Sequence, residues 1–492
     1  MSAVHLAFRA LAFGIIVALT STLVWLMGTN GNWHALLTGQ LHAAGYPPIR
    51  VRKIAFEEQD TTIAVHGDAS SPGWTNLFGP NLDSRSPETG LNLRFGEAGP
   101  RELWRKAIGS GYSAPVVGKQ DSSSDDLVLL QREQDEEVLA CLDALSGEER
   151  WRCAWPTTYK CPYEYSSGPY ATPVIDGDRV YAVGAQGQLH CVSREHGQVI
   201  WQRNLPEEFP GGAAGLFGFG AGLLVDGERL YLNVGAGEQQ AGIVAFDKLS
   251  GETAWQATER SFAYTTPRLT TIAGQRYLLV LTDFGLAALD PASGSLLGEY
   301  EFQPRGPDVI NAVTPVVQGD RVLLVAGPGP GAVCLQLVPN NKQGQMEFRE
   351  IWKDRRTLDS QFNSLIHYPQ TNDSALVFGF TASQQGGATF RCVELETGKL
   401  RWKHASELGR GQAIAVDGHL LLLGEHGHLQ VLQAQAAQAE PVASTKEPIL
   451  AGPCYSQPAL CSGLLFVRNE KEVICFDLRP ESLTPSLRRP IW

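Results

Sequence analysis

The chain has 492 residues, a formal net charge of −12 and a hydrophobic content of 43%. That is enough apolar residue for a large core and too little charge for a disordered chain. Lys and Arg form no run that could replace phosphate counterions, which argues against a nucleic-acid surface.

Residues 1–9 form a short tip ending on Arg9. Residues 10–28 (ALAFGIIVALTSTLVWLMG) then run without a charge, close to the ~20 residues that cross a bilayer as a helix. A cleaved leader typically has an apolar stretch of ~7–15 residues and a small-residue cleavage site. This segment is longer, and MGTNGNWH after it offers no such site. We therefore expect an uncleaved signal-anchor helix. Arg9 precedes it, and Arg50, Arg52 and Lys53 follow only after a long gap. The positive-inside rule then puts the tip in the cytoplasm and the body outside, as in a single-pass bacterial inner-membrane protein with a periplasmic domain. Residues 29–72 read as a linker or stalk, 73–103 as a lead-in, 104–479 as a repeat domain and 480–492 as a tail.

The repeat is anchored by tryptophans at Trp104, Trp151, Trp201, Trp255, Trp352 and Trp402, spaced 47, 50, 54, 97 and 50 residues apart. Tyr300 fills the double gap. Before the aromatic residue comes an acid and then a glycine: Asp143 with Gly147, Asp247 with Gly251, Asp290 with Gly294, Glu394 with Gly398. In D-x-x-[ST]-G the acid can cap turn amides and the glycine can take the left-handed position. A third anchor is a hairpin signal such as Asp176-Gly177 or Asp417-Gly418 between alternating apolar runs. A unit of about 50 residues with four strands is the signature of a propeller blade. Innermost strands are expected to start near Ala114, Thr172, Gly222, Thr266, Thr314, Gln361, Gln412 and Gln457, giving an all-β, eight-bladed propeller of four-stranded antiparallel blades. The last blade runs out of chain before its own tryptophan, so Leu103–Gly109 is expected to supply its outer strand and close the circle.

Nine cysteines are present. Cys141, Cys191, Cys392 and Cys475 share one repeat position, with Cys334 a further example, and read as core. Cys153, Cys161, Cys454 and Cys461 lie outside it and could pair as Cys153–Cys161 and Cys454–Cys461 in an oxidising compartment.

The segments LDALSGEERW, FDKLSGETAW and ELETGKLRW resemble the tryptophan-docking repeat of pyrroloquinoline-quinone (PQQ)-like propellers, over about Trp104–Leu478. GWTNLFGPNLDSRSPETGL looks like the lead-in of PQQ-like repeat proteins of planctomycete-type bacteria, without the arginine of that pattern. The resemblance implies either a quinoprotein dehydrogenase or a non-catalytic BamB-like scaffold. The dehydrogenases carry an adjacent cysteine pair, a calcium held by Glu, Asn and Asp, and a catalytic Asp. No Cys-Cys pair occurs here, and no acidic set aligns with the calcium positions, so neither PQQ nor calcium is supported as a cofactor and no catalytic or metal-ligating residue is assigned. BamB-type proteins are lipidated on a cysteine after the signal, but the first cysteine here is Cys141. A helix would replace the lipid as tether.

A tyrosine lies three residues before the proline of the innermost strand in four blades: Tyr112, Tyr170, Tyr264 and Tyr455. Nearby loops add Tyr159, Tyr163 and Tyr165, and Phe209, Phe217 and Phe219. Such rings can pack between blades or form an amphipathic binding face. The expected activity is therefore non-enzymatic binding of other extracytoplasmic proteins, with a PQQ-dependent oxidoreductase and a carbohydrate-binding propeller as alternatives. His426 and His428 lack further ligands for a metal site.

Overall fold

Eight sheets make up the repeat domain in this computed structural model, each built on four antiparallel strands, and two of them carry a fifth strand, Arg50–Lys53 in one and Arg85–Ser86 in the other. The structure describes residues 73–480, other than 121–123, 164–165, 212–216, 305–310, 341–343, 371–373, 382–386 and 406, together with the backbone of a strand at Arg50–Lys53. The expected anchor helix at residues 10–28, the linker up to residue 72 apart from that strand, most of the tail and Tyr165 lie outside the described residues. Among the described residues no helix is long and apolar enough to cross a membrane.

The innermost strands are Val116–Gly118, Val174–Asp176, Leu224–Asp226, Arg268–Ile272, Val316–Gln318, Ile366–Pro369, Gly411–Val416 and Ala459–Cys461. Seven begin within a few residues of the expected positions. In blade six the strand starts five residues after Gln361. The turns that leave these strands divide into two kinds. Asp417-Gly418 and Ser462-Gly463 both have positive φ in their two residues, the type I′ geometry that matches strand twist. In blade two Asp176 is the last strand residue, and Gly177 takes the first loop position with φ 58°, as in type II′.

Blade eight is assembled from both ends of the domain. Arg101–Ala107 pairs with Glu472–Asp477, with Trp104 opposite Cys475. Arg468, on the second strand of that blade, is buried and donates to Ser113 O, Leu130 O and Gly109 O of blade one at 3.1–3.3 Å. Burial lowers its pKa to about 10, against the pull of Glu470.

The docking expected of the tryptophans is present, and for all but Trp402 its partner is the glycine of the next blade. Each indole N–H donates to a carbonyl of the following turn: Trp104 to Ala144, Trp151 to Arg194, Trp201 to Lys248, Trp255 to Pro291, Trp352 to Leu395 and Trp402 to Gln435, at 2.7–3.1 Å. In blades one, three and four the turn is held by Asp143, Asp247 and Asp290, whose Oδ1 atoms each accept two backbone N–H groups. The repeat cysteines are the cross-strand neighbours of these indoles. Cys141 faces Trp151, Cys191 faces Trp201, Cys334 faces Trp352 and Cys392 faces Trp402.

The other four cysteines do not form the bonds expected of them. No disulfide joins any two of the nine cysteines. Cys153 lies within a blade-one strand opposite Leu139, and burial raises its pKa to about 12. Cys161 lies in the following loop, half-buried. Cys461 ends an innermost strand against Asp125, while Cys454 sits seven residues earlier against Ala451 O.

The lead-in crosses one end of the central channel. Trp74 bridges Val117 of blade one, Thr75 O accepts the Ile175 N–H of blade two, and Ser84 O accepts the Ala415 N–H of blade seven. Arg85–Ser86 then runs parallel to the innermost strand of blade seven. Glu88 caps the blade-eight turn by accepting from Ser462 and Gly463 at 2.8 and 2.7 Å.

Candidate functional site

The innermost strands turn one equivalent position per blade toward the other mouth of the channel. Tyr112, Tyr170, Tyr264 and Tyr455 hold it in blades one, two, four and eight. Gly220, Ala312, Phe362 and Arg410 hold it in blades three, five, six and seven. All eight line one cavity of about 320 Å³. Two residues further on, a second tier of hydroxyls and amides lines the same space, including Thr172, Thr314, Ser364, Gln412 and Gln457. Leu77 and Phe78 from the lead-in form its floor. The result is a funnel with an aromatic mouth, a polar waist and an apolar base.

The rings touch in sequence around the mouth. Centroids are 5.0 Å apart for Phe362–Tyr455, 5.4 Å for Tyr455–Tyr112 and 6.2 Å for Tyr112–Tyr170. The arc continues through Phe217, 5.8 Å from Tyr170 and 5.7 Å from Tyr264. Phe217 fills the place that Gly220 leaves open. A Cβ at Gly220 would meet Tyr264 at 2.9 Å, so only glycine lets the arc bend there. Most contacts are edge-to-face, the geometry favoured by the ring quadrupole. The hydroxyls are tied back into the protein: Tyr170 donates to Ser166 O, and Tyr264 accepts the Phe217 N–H at 2.8 Å. Burial pushes the Tyr170 and Tyr264 hydroxyls well above the usual range, so both stay protonated.

The waist also locks neighbouring blades. Thr172 Oγ1 accepts the Ala114 N–H, Thr314 Oγ1 accepts the Thr266 N–H, and Gln412 Oε1 accepts the Ser364 N–H, at 2.9–3.0 Å.

Among the described residues, Arg410 is the single ionisable lining residue other than tyrosine. Its guanidinium lies 5.5 Å from the Phe362 centroid and 5.3 Å from that of Tyr455. It pairs with Glu425 at 3.1 Å and donates to the Tyr455 hydroxyl at 2.7 Å. Burial would raise the Glu425 carboxyl, but the Arg410 bonds outweigh it and hold the group below its ordinary value.

Among the expected site residues, Tyr112, Tyr170, Tyr264, Tyr455 and Phe217 meet at the funnel. Tyr163 stands at the rim, 44% exposed, 6.1 Å from Phe217. Phe219 is not at the site. The chain reverses at Gly218 (φ 61°) and sends that ring onto Gly187 in the core between blades two and three. Phe209 joins the same core. Phe362, Arg410 and Asn363 were not anticipated, although the register of the repeat, counted back from Ser364 and Gln412, contains the signal for the first two.

A calcium-held quinone needs carboxylate donors. Among the described residues the cavity lining has none, and no three His, Cys, Asp or Glu side chains come together there as a metal site. The residues present do not fit that group.

The family profile described as outer membrane protein assembly factor BamB matches residues 134–403, more than half of the chain. No curated protein sequence matches. Among solved structures, quinohemoprotein alcohol dehydrogenase from Comamonas testosteroni is similar at 13% identity, covering 86% of this chain and 82% of that one, with a TM-score of 0.53. BamB from Moraxella catarrhalis is similar at 12% identity over 77% of this chain and all of that one, with a TM-score of 0.48. The designed protein Ika8 is similar at 9% identity over 77% of this chain and 99% of its own, also at 0.48. At 13% identity the likeness to the Comamonas enzyme speaks for the fold alone.

Proposed function

The chain belongs to the outer membrane protein assembly factor BamB family, and from that premise we propose that it is a non-enzymatic binding scaffold whose aromatic funnel receives an exposed segment of a partner protein. The observation that carries this reading is the convergence of one position from all eight blades on a single cavity of about 320 Å³. Aromatic mouths with a few placed polar groups are the usual chemistry of recognition sites. Residues 10–28 would tether the scaffold to the inner membrane, with the propeller on the periplasmic side; their uncharged, largely apolar run supports this.

Two measurements test the proposal. A photo-crosslinking residue at position 312, in the full chain and in the cells that make it, should give a discrete protein adduct. The same residue at Leu249, on the exposed outer rim, should not. Equal adducts from both positions, or an adduct from Leu249 alone, would refute the funnel. For the tether, the full chain should resist carbonate extraction from membranes, and a chain lacking residues 1–28 should be released. Extraction of both would refute the anchor.

A further inference from the structure

Two arginines are buried among the described residues, and they differ in what they hold. Arg468 donates to three carbonyls across the closing seam. Arg268 makes no hydrogen bond and no ion pair among the described residues. It opens the innermost strand of blade four, four residues past Tyr264 of the mouth, and so lies toward the lead-in end of the channel. It keeps 8% of its surface exposed, and none of its nitrogens is among the sealed, unpartnered atoms of the described residues. The guanidinium therefore meets open space. It is not among the lining residues of the funnel, so this is a second place in the channel.

The surroundings of Arg268 are short of negative charge. Its guanidinium carbon lies 5.8 Å from the centroid of the Phe78 ring, and a cation over an aromatic face recovers only part of its lost hydration. Asp83 attracts Arg268 but forms its ion pair with Arg85, at 3.6 Å. Burial, with the added charges of Arg85 and Arg268, lowers the pKa of His367 to about 4. That imidazole is neutral at physiological pH, and both guanidinium groups lie close enough to act on it. Two positive charges thus face one carboxylate. A buried charge is costly until it is paired, and one further negative charge would balance this end of the channel. A planar guanidinium presents its N–H groups in a fork that matches the oxygens of a carboxylate or a phosphate.

We propose that the lead-in end of the channel is an anion site, in which a compact oxyanion takes the N–H groups of Arg268 beside the loop of residues 78–84, with Arg85 adding to the attraction. That loop is closed on itself by the Ser84 N–H on Phe78 O at 2.8 Å, so the ion would fasten the lead-in to blade four. The test is thermal unfolding of the full chain in Tris-chloride, titrated with inorganic phosphate, with acetate, and with sodium chloride at matched ionic strength. Phosphate or acetate should raise the melting temperature saturably, the stronger of the two naming the chemistry of the ion, and chloride should not. Arg268→Met should melt no lower than the unaltered chain in the oxyanion-free buffer, because it removes a charge that nothing pairs, and should respond to neither oxyanion. Arg85→Gln alters a side chain that is 36% exposed and serves if the first variant misfolds. It should raise the half-saturating concentration at least about threefold, by loss of one of the two positive charges. A rise with chloride equal to that with the oxyanions, a rise that survives in Arg268→Met, or no rise with either oxyanion overturns the site. So does an Arg268→Met chain that folds but melts earlier in the oxyanion-free buffer, since Arg268 would then be paired within the protein.

Discussion

Trp151 of blade one lies on Gly197 of blade two so closely that a Cβ on that glycine would sit 2.4 Å from the indole Cε3. The same approach recurs at 2.8 Å for Trp104 on Gly147, 2.6 Å for Trp201 on Gly251, and 2.5 Å for Trp255 on Gly294 and Trp352 on Gly398. These glycines also have φ of 67–75°. Each is required twice, once by the backbone and once by the ring above it.

Gly197→Ala should therefore destabilise the propeller through two additive causes. The left-handed backbone costs about 1–2 kcal/mol for an L-residue, and forced overpacking about 1–3 kcal/mol. We expect a loss of about 2–5 kcal/mol in urea unfolding. A change below about 1 kcal/mol would mean that the indole is free to move aside.

Arg468→Met keeps the length of the side chain and removes its donors. Ser113, Leu130 and Gly109 would lose bonds across the seam where the circle closes. Bonds to a charged donor are worth ~1.5–3 kcal/mol each, net of solvation. A loss of at least about 3 kcal/mol is expected, with earlier proteolysis at the blade eight–blade one seam. Unchanged unfolding and cleavage would assign closure to the strand pairing alone.

His190 is 2% exposed and stacks on Trp155 at 4.1 Å, and burial lowers its pKa to about 4. The unfolded imidazole titrates near 6.5. Below 6.5 the unfolded chain takes up a proton that the folded chain refuses, so stability is lost as pH falls from about 6.5 to about 4 and is flat above that window. One such group contributes a slope of about 1.4 kcal/mol per pH unit. His190→Phe, which keeps a ring against Trp155, should flatten the stability profile in that window by about this slope. An identical profile would locate the imidazole in water.

A thiol count in denaturant should return nine, and adding reductant should leave the melting temperature unchanged, because no disulfide joins any of the nine cysteines. A rise in titratable thiols on reduction would restore one of the pairs Cys153–Cys161 or Cys454–Cys461.

PQQ with calcium should produce no thermal shift and no bound quinone absorbance, given that the described residues of the cavity lining include no carboxylate. Binding of a ligand to the folded state raises stability with its concentration, so a saturable rise in melting temperature would reopen the oxidoreductase reading.

The blade count, the docking tryptophans and the closure by Arg101–Ala107 were legible in the sequence because each is a recurring unit or completes one. Four of the ring residues were legible for the same reason, as tyrosines at a fixed distance from a proline. Phe362 and Arg410 hold the identical place but lie before Ser-Leu and Gln-Ala, without that proline, and blade six was registered five residues early. Phe219 misled because two phenylalanines in GLFGFG look equivalent, and a single positive φ at Gly218 separates their destinations. The path of Trp74–Ser86 across the channel follows from contacts with blades one, two and seven, and no local periodicity announces it.

Closure by Arg101–Ala107 also has a cost in time. That strand leaves the ribosome some 365 residues before its partner, Glu472–Asp477. At ~5–20 residues per second it waits roughly 20–70 s with a bare edge, and the other end of the growing ring stays bare as well. Such edges invite pairing with other chains. Nascent copies are thus most open to entanglement with one another just before the final blade emerges, and a chain cut short of Glu472 never leaves that state.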